Sequence, residues 1–157
     1  MRVGLGYDSH RFVADRPLIL AGQRIPHPLG LAGHSDADAV AHAVIDALLG
    51  ATGLGDIGTL FPDTDPAWKD ADSMELLRQV GARLSVGGWR PRQIDVTVVL
   101  EAPKLGPAKP AMAAALALAL GLEADAVGVK AKTNEGMGFI GRGEGIAVLA
   151  VATVDRT

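Results

Sequence analysis

Two short stretches decide how this chain is read. They are Asp8-Ser9-His10 near the start, and His34-Ser35-Asp36-Ala37-Asp38-Ala39-Val40-Ala41-His42 further along. Residues 2 to 7 read as a strand leading into Asp8. Asp8 and His10 are two apart, so on an extended strand both side chains point to one face. His42 falls inside an apolar pattern in which Val40, Val44 and Leu48, with Ile45 and Leu49, repeat at helical spacing. Ser35 is the expected N-cap of that helix, with Asp38 three residues on as a weak capping box. A strand pair and one helical histidine can meet at a point and hold a metal with three ligands. Two imidazoles and one carboxylate suit Zn²⁺ or a related divalent ion. Three protein ligands leave a fourth position open, which points to catalysis rather than a structural metal. Asp38, His42 and Asp46 are four apart, so they share one helix face. Asp38 and Asp46 are therefore the expected partners that fix a ligating histidine's tautomer. Taken alone, the two stretches are equally compatible with two unconnected polar patches on a surface.

Composition narrows the classes. A chain of 157 residues is expected to form one domain with a real core. Hydrophobic residues make up 48% and charged residues 21%, the balance of a folded soluble protein. The net charge of −3 and pI near 5.7 argue against a nucleic-acid partner, which needs a basic face. There is no cysteine, so any metal must be held by histidines and carboxylates. The first residues reach a charge too soon for a signal peptide, and the Ala/Leu run 111–122 is too short for a membrane span. A cytoplasmic protein without a membrane partner is the expectation.

The rest of the chain reads as alternating elements. Residues 17–22 suggest a second strand, and His27 in the following loop reads as a surface histidine. After the His42 helix come a glycine-rich stretch, 50–58, and a stiff acidic loop, Leu60-Phe61-Pro62-Asp63-Thr64-Asp65-Pro66, a candidate lid or substrate loop. Asp72 or Ser73 caps a second helix that buries Leu76, Leu77, Val80 and Leu84. Residues 94–100 alternate as a strand, and a tight loop, 101–107, follows. Pro110 opens a third helix ending at Gly121. Residues 127–133 and 146–154 read as strands. Between them Glu135 to Gly145 carries five glycines and Arg142, a loop suited to approaching an anion. The order β-β-α-α-β-α-β-β predicts an α+β fold: a single domain over 1–157, with a mixed β-sheet and helices packed on one face.

The motifs together resemble the 2-C-methyl-D-erythritol 2,4-cyclodiphosphate synthase family. They are Asp8-Ser-His10, His34-Ser35-Asp36-Ala-Asp38 with His42, Gly55-Asp56-Ile-Gly58, Leu60-Phe-Pro-Asp-Thr-Asp65, Ala102-Pro-Lys104, Lys132-Thr-Asn-Glu135 and Gly138-Phe-Ile-Gly-Arg-Gly-Glu-Gly145. The resemblance runs from the first strand to the last. It implies metal-assisted cyclisation of a cytidine diphosphate ester, with release of CMP, in a homotrimer whose sites lie between subunits. It implies Zn²⁺ on Asp8, His10 and His42, and a second ion, Mg²⁺ or Mn²⁺, near Glu135. His34 and Thr133 would orient the reacting groups. Ser9 and Ser35 would lie beside the substrate, with Ser35 by its phosphate. Asp56, Ile57, Gly58, Phe61, Pro62, Asp63, Thr64 and Asp65 would hold the methylerythritol part. Leu100, Glu101, Ala102, Pro103, Lys104, Leu105 and Gly106, with Lys132, Thr133 and Asn134, would form the cytidine side. Phe139 and Arg142 would complete the glycine-rich loop. Many relatives carry Thr at the position of Lys132, and smaller or uncharged residues at Leu100 and Glu101. A water-using zinc phosphodiesterase is the alternative that the same ligands would serve.

Overall fold

A computed structural model describes residues 1–157. Seven strands are formed: β1 (Arg2–Val13), β2 (Leu18–Leu20), β3 (Gln23–Ile25), β4 (Gly30–Leu31), β5 (Trp89–Val99), β6 (Val127–Lys132) and β7 (Gly145–Arg156). The α-helices are α1 (Ala39–Thr52), α2 (Ile57–Leu60), α3 (Ser73–Val86), α4 (Lys109–Leu120) and α5 (Gly138–Gly141). Five strands form one sheet in the order β4-β1-β7-β5-β6, and β2 pairs with β3 as a separate hairpin. Only β5 and β6 run parallel, so the sheet is mixed as expected.

The longer helices lie on one face and share a single cluster of buried apolar side chains with it. Alternation along β7 supplies Ile146, Val148, Ala150, Ala152 and Val154 to that core. α3 contributes Leu76, Leu77, Val80 and Leu84, the residues its periodicity marked. No helix is long and apolar enough to cross a membrane. The opposite face of the sheet exposes Val3, Leu5, Tyr7, Leu149 and Val151.

The contact that positions the site is between α1 and β1. Even-numbered residues of β1 face the helix, among them Gly4 and Gly6. A Cβ on Gly4 would lie 1.9 Å from the Ala47 carbonyl oxygen, and one on Gly6 would lie 1.8 Å from that of Ala43. Backbone therefore packs directly on backbone. Two strand residues advance about 6.6 Å and four helix residues about 6 Å. The register thus steps from Gly4–Ala47 to Gly6–Ala43, and brings Asp8 and His10 to the N-terminal end of α1, where His42 stands.

Several expectations are corrected. α1 begins at Ala39, not just after Ser35. Its N-cap is Asp38, whose carboxylate accepts from the N–H groups of Val40 and Ala41. β1 runs to Val13, so Asp8 and His10 are mid-strand. The stretches read as loops at 57–60 and 138–141 each close into one helical turn.

Candidate metal centre and substrate pocket

Asp8, His10 and His42 converge. His10 Nε2 lies 2.8 Å from Asp8 Oδ2 and 3.3 Å from His42 Nδ1, and His42 Nδ1 lies 3.1 Å from the same Asp8 oxygen. They are the one group of three or more potential ligands whose atoms cluster this closely. A tetrahedral ion with 2.0–2.1 Å bonds needs its ligand atoms about 3.3 Å apart, so the donor set fits a divalent ion such as zinc.

The outer ring nitrogens are also committed. His10 Nδ1 lies 2.6 Å from the Ala32 carbonyl oxygen, which can only accept, so that nitrogen carries the proton and Nε2 is free to ligate. His42 Nε2 lies 2.9 Å from Ser73 Oγ and 3.2 Å from Ser35 Oγ. Ser73 is fully buried, and its hydroxyl donates to the Asp36 carboxylate in a very short contact. With that proton spent on Asp36, Ser73 Oγ accepts from His42 Nε2–H and leaves Nδ1 bare toward Asp8. The chain carboxylate–hydroxyl–imidazole thus presets His42 for a metal.

Charge follows geometry. When ring protons rather than a metal lie between the three groups, burial works to raise the Asp8 carboxyl, but hydrogen bonds from His10 Nε2 and His42 Nδ1 outweigh it and hold it at about 2. Burial works to lower His10, and the Asp8 hydrogen bond and charge overcome it, so His10 is raised above the ordinary histidine value.

The expected partners of the ligands are corrected here. Asp38 is fully buried and does not reach His42. Its carboxylate accepts from Ala21 and Gly22 N–H at 2.9 and 2.7 Å as well as from its own helix, tying the β2–β3 hairpin to α1. Burial pushes it up to about 6 against the N–H donors of Gly22, Ala41 and Ala21. Asp46 accepts from Ile57 N–H at 2.7 Å and anchors α2 instead of binding a histidine. Burial raises its pKa, opposed by that N–H donor. Ser73 and Asp36 take the role assigned to these two residues. The sequence offered Ser73 only as a helix cap, but Asp72 is the cap, which frees the Ser73 hydroxyl for His42.

A pocket of about 410 Å³ opens over the three ligands, lined also by Gly33, His34, Ser35, Ile57, Gly58, Phe61, Asp63, Trp68 and Leu76. Phe61 meets Trp68 edge-on at 5.0 Å, forming an apolar wall. Arg16, unremarked in the sequence, donates to the Gly33 and Ser35 carbonyls at 2.7 and 2.6 Å and so grips the loop on both sides of His34. His34 Nε2 faces the Asp65 carbonyl at 3.3 Å. Asp56, Pro62, Thr64 and Asp65 do not line this pocket. Asp56 and Asp65 cap the turns at 57–60 and 66–68, which set the loop's shape. Ser9, at an odd position of β1, falls outside it and borders a shallow recess with Arg11, Phe139 and Glu144. His27 stacks on Phe12, away from the site.

The residues expected on the cytidine side form a separate recess. Leu100, Glu101, Pro103, Lys104, Leu105, Lys132 and Thr133 line it at the adjoining ends of β5 and β6. Ala102 and Gly106 belong to the same loop, and Asn134 and Glu135 follow Thr133 in the chain, but none of these four lines the recess. No residue is common to the two recesses. Arg142 is exposed and paired with Glu144 at 3.2 Å. A larger cavity of about 770 Å³ near Gln23, Arg78 and Leu118 gathers no such ligand cluster.

Fold and site define the class, and comparison with known proteins agrees: residues 1–155 match the model of the YgbB family, to which the chain belongs. A 2-C-methyl-D-erythritol 2,4-cyclodiphosphate synthase of Salinibacter ruber is 57% identical over 154 residues, 98% of each chain. A solved 2C-methyl-D-erythritol-2,4-cyclodiphosphate synthase in its CDP-bound form is 42% identical, with a TM-score of 0.90 over 98% of this chain and 100% of that one. The bifunctional IspDF of Campylobacter jejuni is 46% identical with a TM-score of 0.96; the match covers 99% of this chain and 42% of that longer one.

Proposed function

We propose that this chain converts 4-diphosphocytidyl-2-C-methyl-D-erythritol 2-phosphate to 2-C-methyl-D-erythritol 2,4-cyclodiphosphate and CMP, a step of the non-mevalonate route to isoprenoids. The observation that carries this reading is the convergence of Asp8, His10 and His42 on one pocket in a chain that matches cyclodiphosphate synthases from end to end. An oxygen of the substrate's 2-phosphate forms a bond to the β-phosphorus. The bond from that phosphorus to the bridging oxygen breaks, and CMP departs with the electron pair. No water is consumed and no protein nucleophile is required.

Asp8, His10 and His42 would hold Zn²⁺, and Glu135 a second ion, Mg²⁺ or Mn²⁺. Bound there, such ions supply the positive charge that a substrate with about four negative charges needs in an acidic protein. The protein's own part is to bind and orient. Arg16 and the Asp65 carbonyl fix the loop that presents His34, so His34 orients the 2-phosphate. Thr133 orients the diphosphate from the other recess. Phe61, Trp68 and Leu76 shield the reacting end from water. Fixing both ends of one substrate contributes on the order of 7–11 kcal/mol through proximity. Backbone groups from Ala102 to Gly106 read the cytosine.

The two recesses share no residue, which supports a complete site built from two copies. The exposed apolar face around Leu5, Tyr7 and Val151 supports a homotrimer packed through the outer side of the sheet. Incubation with the substrate and phosphorus NMR of the products tests the activity. Cyclic diphosphate and CMP in equal amounts is the expected result, and unchanged substrate in the presence of zinc and magnesium would overturn it.

A further inference from the structure

The turn after β6 is held in place by a side chain from the neighbouring strand's end. Glu101 Oε1 accepts from Asn134 N–H at 2.9 Å and from Gly136 N–H at 3.2 Å. One carboxylate oxygen thus takes two amides that flank Glu135. Glu135 itself sits in the left-handed region at φ 53°, a conformation that a side chain other than glycine adopts at a cost. On its other side the turn is backed by α5: a Cβ on Gly141 would lie 2.0 Å from the Gly136 carbonyl carbon. The Asn134 side chain also donates to the Met137 carbonyl at 2.8 Å. The turn is therefore clasped by Glu101, backed by α5 and stapled by Asn134. Within it Glu135 N–H donates to Thr133 Oγ1 at 3.3 Å, and the Thr133 hydroxyl faces Glu135 Oε1 at 3.4 Å.

We infer that Glu101 is a positioning residue: its carboxylate holds the Thr133–Gly136 turn so that Thr133 and Glu135 meet the diphosphate and its cation already arranged. The inference rests on the cyclodiphosphate synthase reading above. It assigns Glu101 a task on the backbone, without contact to the substrate. What the turn needs is an acceptor oxygen, not a charge, so an amide at 101 should serve.

The test compares Glu101→Ala with Glu101→Gln in the full-length protein, loaded with zinc. Two quantities are read: affinity for CDP with Mg²⁺ by calorimetry, and amide exchange of residues 133–137 by mass spectrometry. Glu101→Ala should bind CDP–Mg²⁺ about ten- to a hundredfold more weakly, since displacing aligned groups by 1 Å costs about that much. Its 133–137 amides should exchange faster while those of β5 and β6 keep wild-type protection, which also shows that the variant is folded. Glu101→Gln should restore both quantities to within about threefold of wild type, because Oε1 remains an acceptor. Wild-type affinity and exchange in Glu101→Ala would overturn the inference. So would a Glu101→Gln variant as impaired as Glu101→Ala, which would make the charge the active feature. A wild-type protein that binds no CDP would instead overturn the functional reading on which the inference rests.

Discussion

Gly6→Ala probes the contact that builds the metal centre without touching a ligand. The added methyl would start 1.8 Å from the Ala43 carbonyl oxygen and 2.7 Å from Ala47 N. Real Cβ contacts do not fall below 3.0 Å, so α1 must retreat from β1 by about 1.2 Å. The obstacles are backbone atoms, so no side-chain rotation relieves them. Overpacking of this kind costs about 1–3 kcal/mol, or roughly 2–12 °C in Tm for a chain of this length. The effect on the site is larger. His42 rides on α1 and Asp8 on β1, and metal sites tolerate ligand displacements of about 0.2 Å. The retreat therefore takes His42 Nδ1 out of reach of an ion held by Asp8 and His10. Metal affinity is measured by competition with a chromophoric chelator, and stability by thermal melting of the metal-free protein. Gly50→Ala is the control: it lies on the same helix with nothing within 4 Å, and should gain about 0.5–1 kcal/mol while binding metal as wild type does. A Gly6→Ala protein with wild-type metal affinity would refute the argument that backbone contact at the glycines sets the ligand geometry.

Three further outcomes are expected. Ser73→Ala removes the acceptor for His42 Nε2–H and strips Asp36 of its hydroxyl donor, so metal affinity should fall about 10–100-fold with the fold intact; unchanged affinity in the chelator titration would show that Ser73 is idle. Asp38 has a folded pKa raised to about 6 from an ordinary value of 3.8, so its stabilising share is present in full below 3.8 and is lost as pH rises through 6. Relative to Asp38→Asn, wild type should therefore lose on the order of 3 kcal/mol between pH 3.5 and pH 7 in denaturant titrations, and a pH-independent difference would count against this assignment. Leu5→Asp places a charge on the exposed sheet face and, if the proposed trimer packs through that face, should leave monomers by light scattering with metal binding intact; a variant as trimeric as wild type would place the subunit contact elsewhere, and a monomeric wild type would overturn the proposed assembly.

The strands and long helices were legible because burial on one face writes a period into the sequence. Period two marks β5 and the helical repeat marks α1 and α3, and the buried residues follow those patterns. The cluster of Asp8, His10 and His42 was legible because few residue types bind a metal and they fell in two motifs. Their supporting contacts were not. Helical spacing put Asp38 beside His42, but a residue at a helix start turns its carboxylate onto the free N–H groups there, and Asp38 did so. Ser73 could not be told from a cap, because only tertiary packing decides which of two adjacent polar residues closes the helix. Gly4 and Gly6 were the missed signal: glycine inside a strand marks close backbone approach. Arg16 and Glu101 act on backbone groups distant in sequence, and such pairings leave no local pattern.

The central claim is that the substrate's own phosphate, not water, attacks the β-phosphorus. It is tested most directly by running the reaction in ¹⁸O-labelled water and analysing both products by mass spectrometry. The cyclisation predicts one CMP per cyclic diphosphate, with no label in either. Label in CMP, or in a linear methylerythritol phosphate formed at the same rate as CMP, would mean that water is the nucleophile and that the chain is a phosphodiesterase.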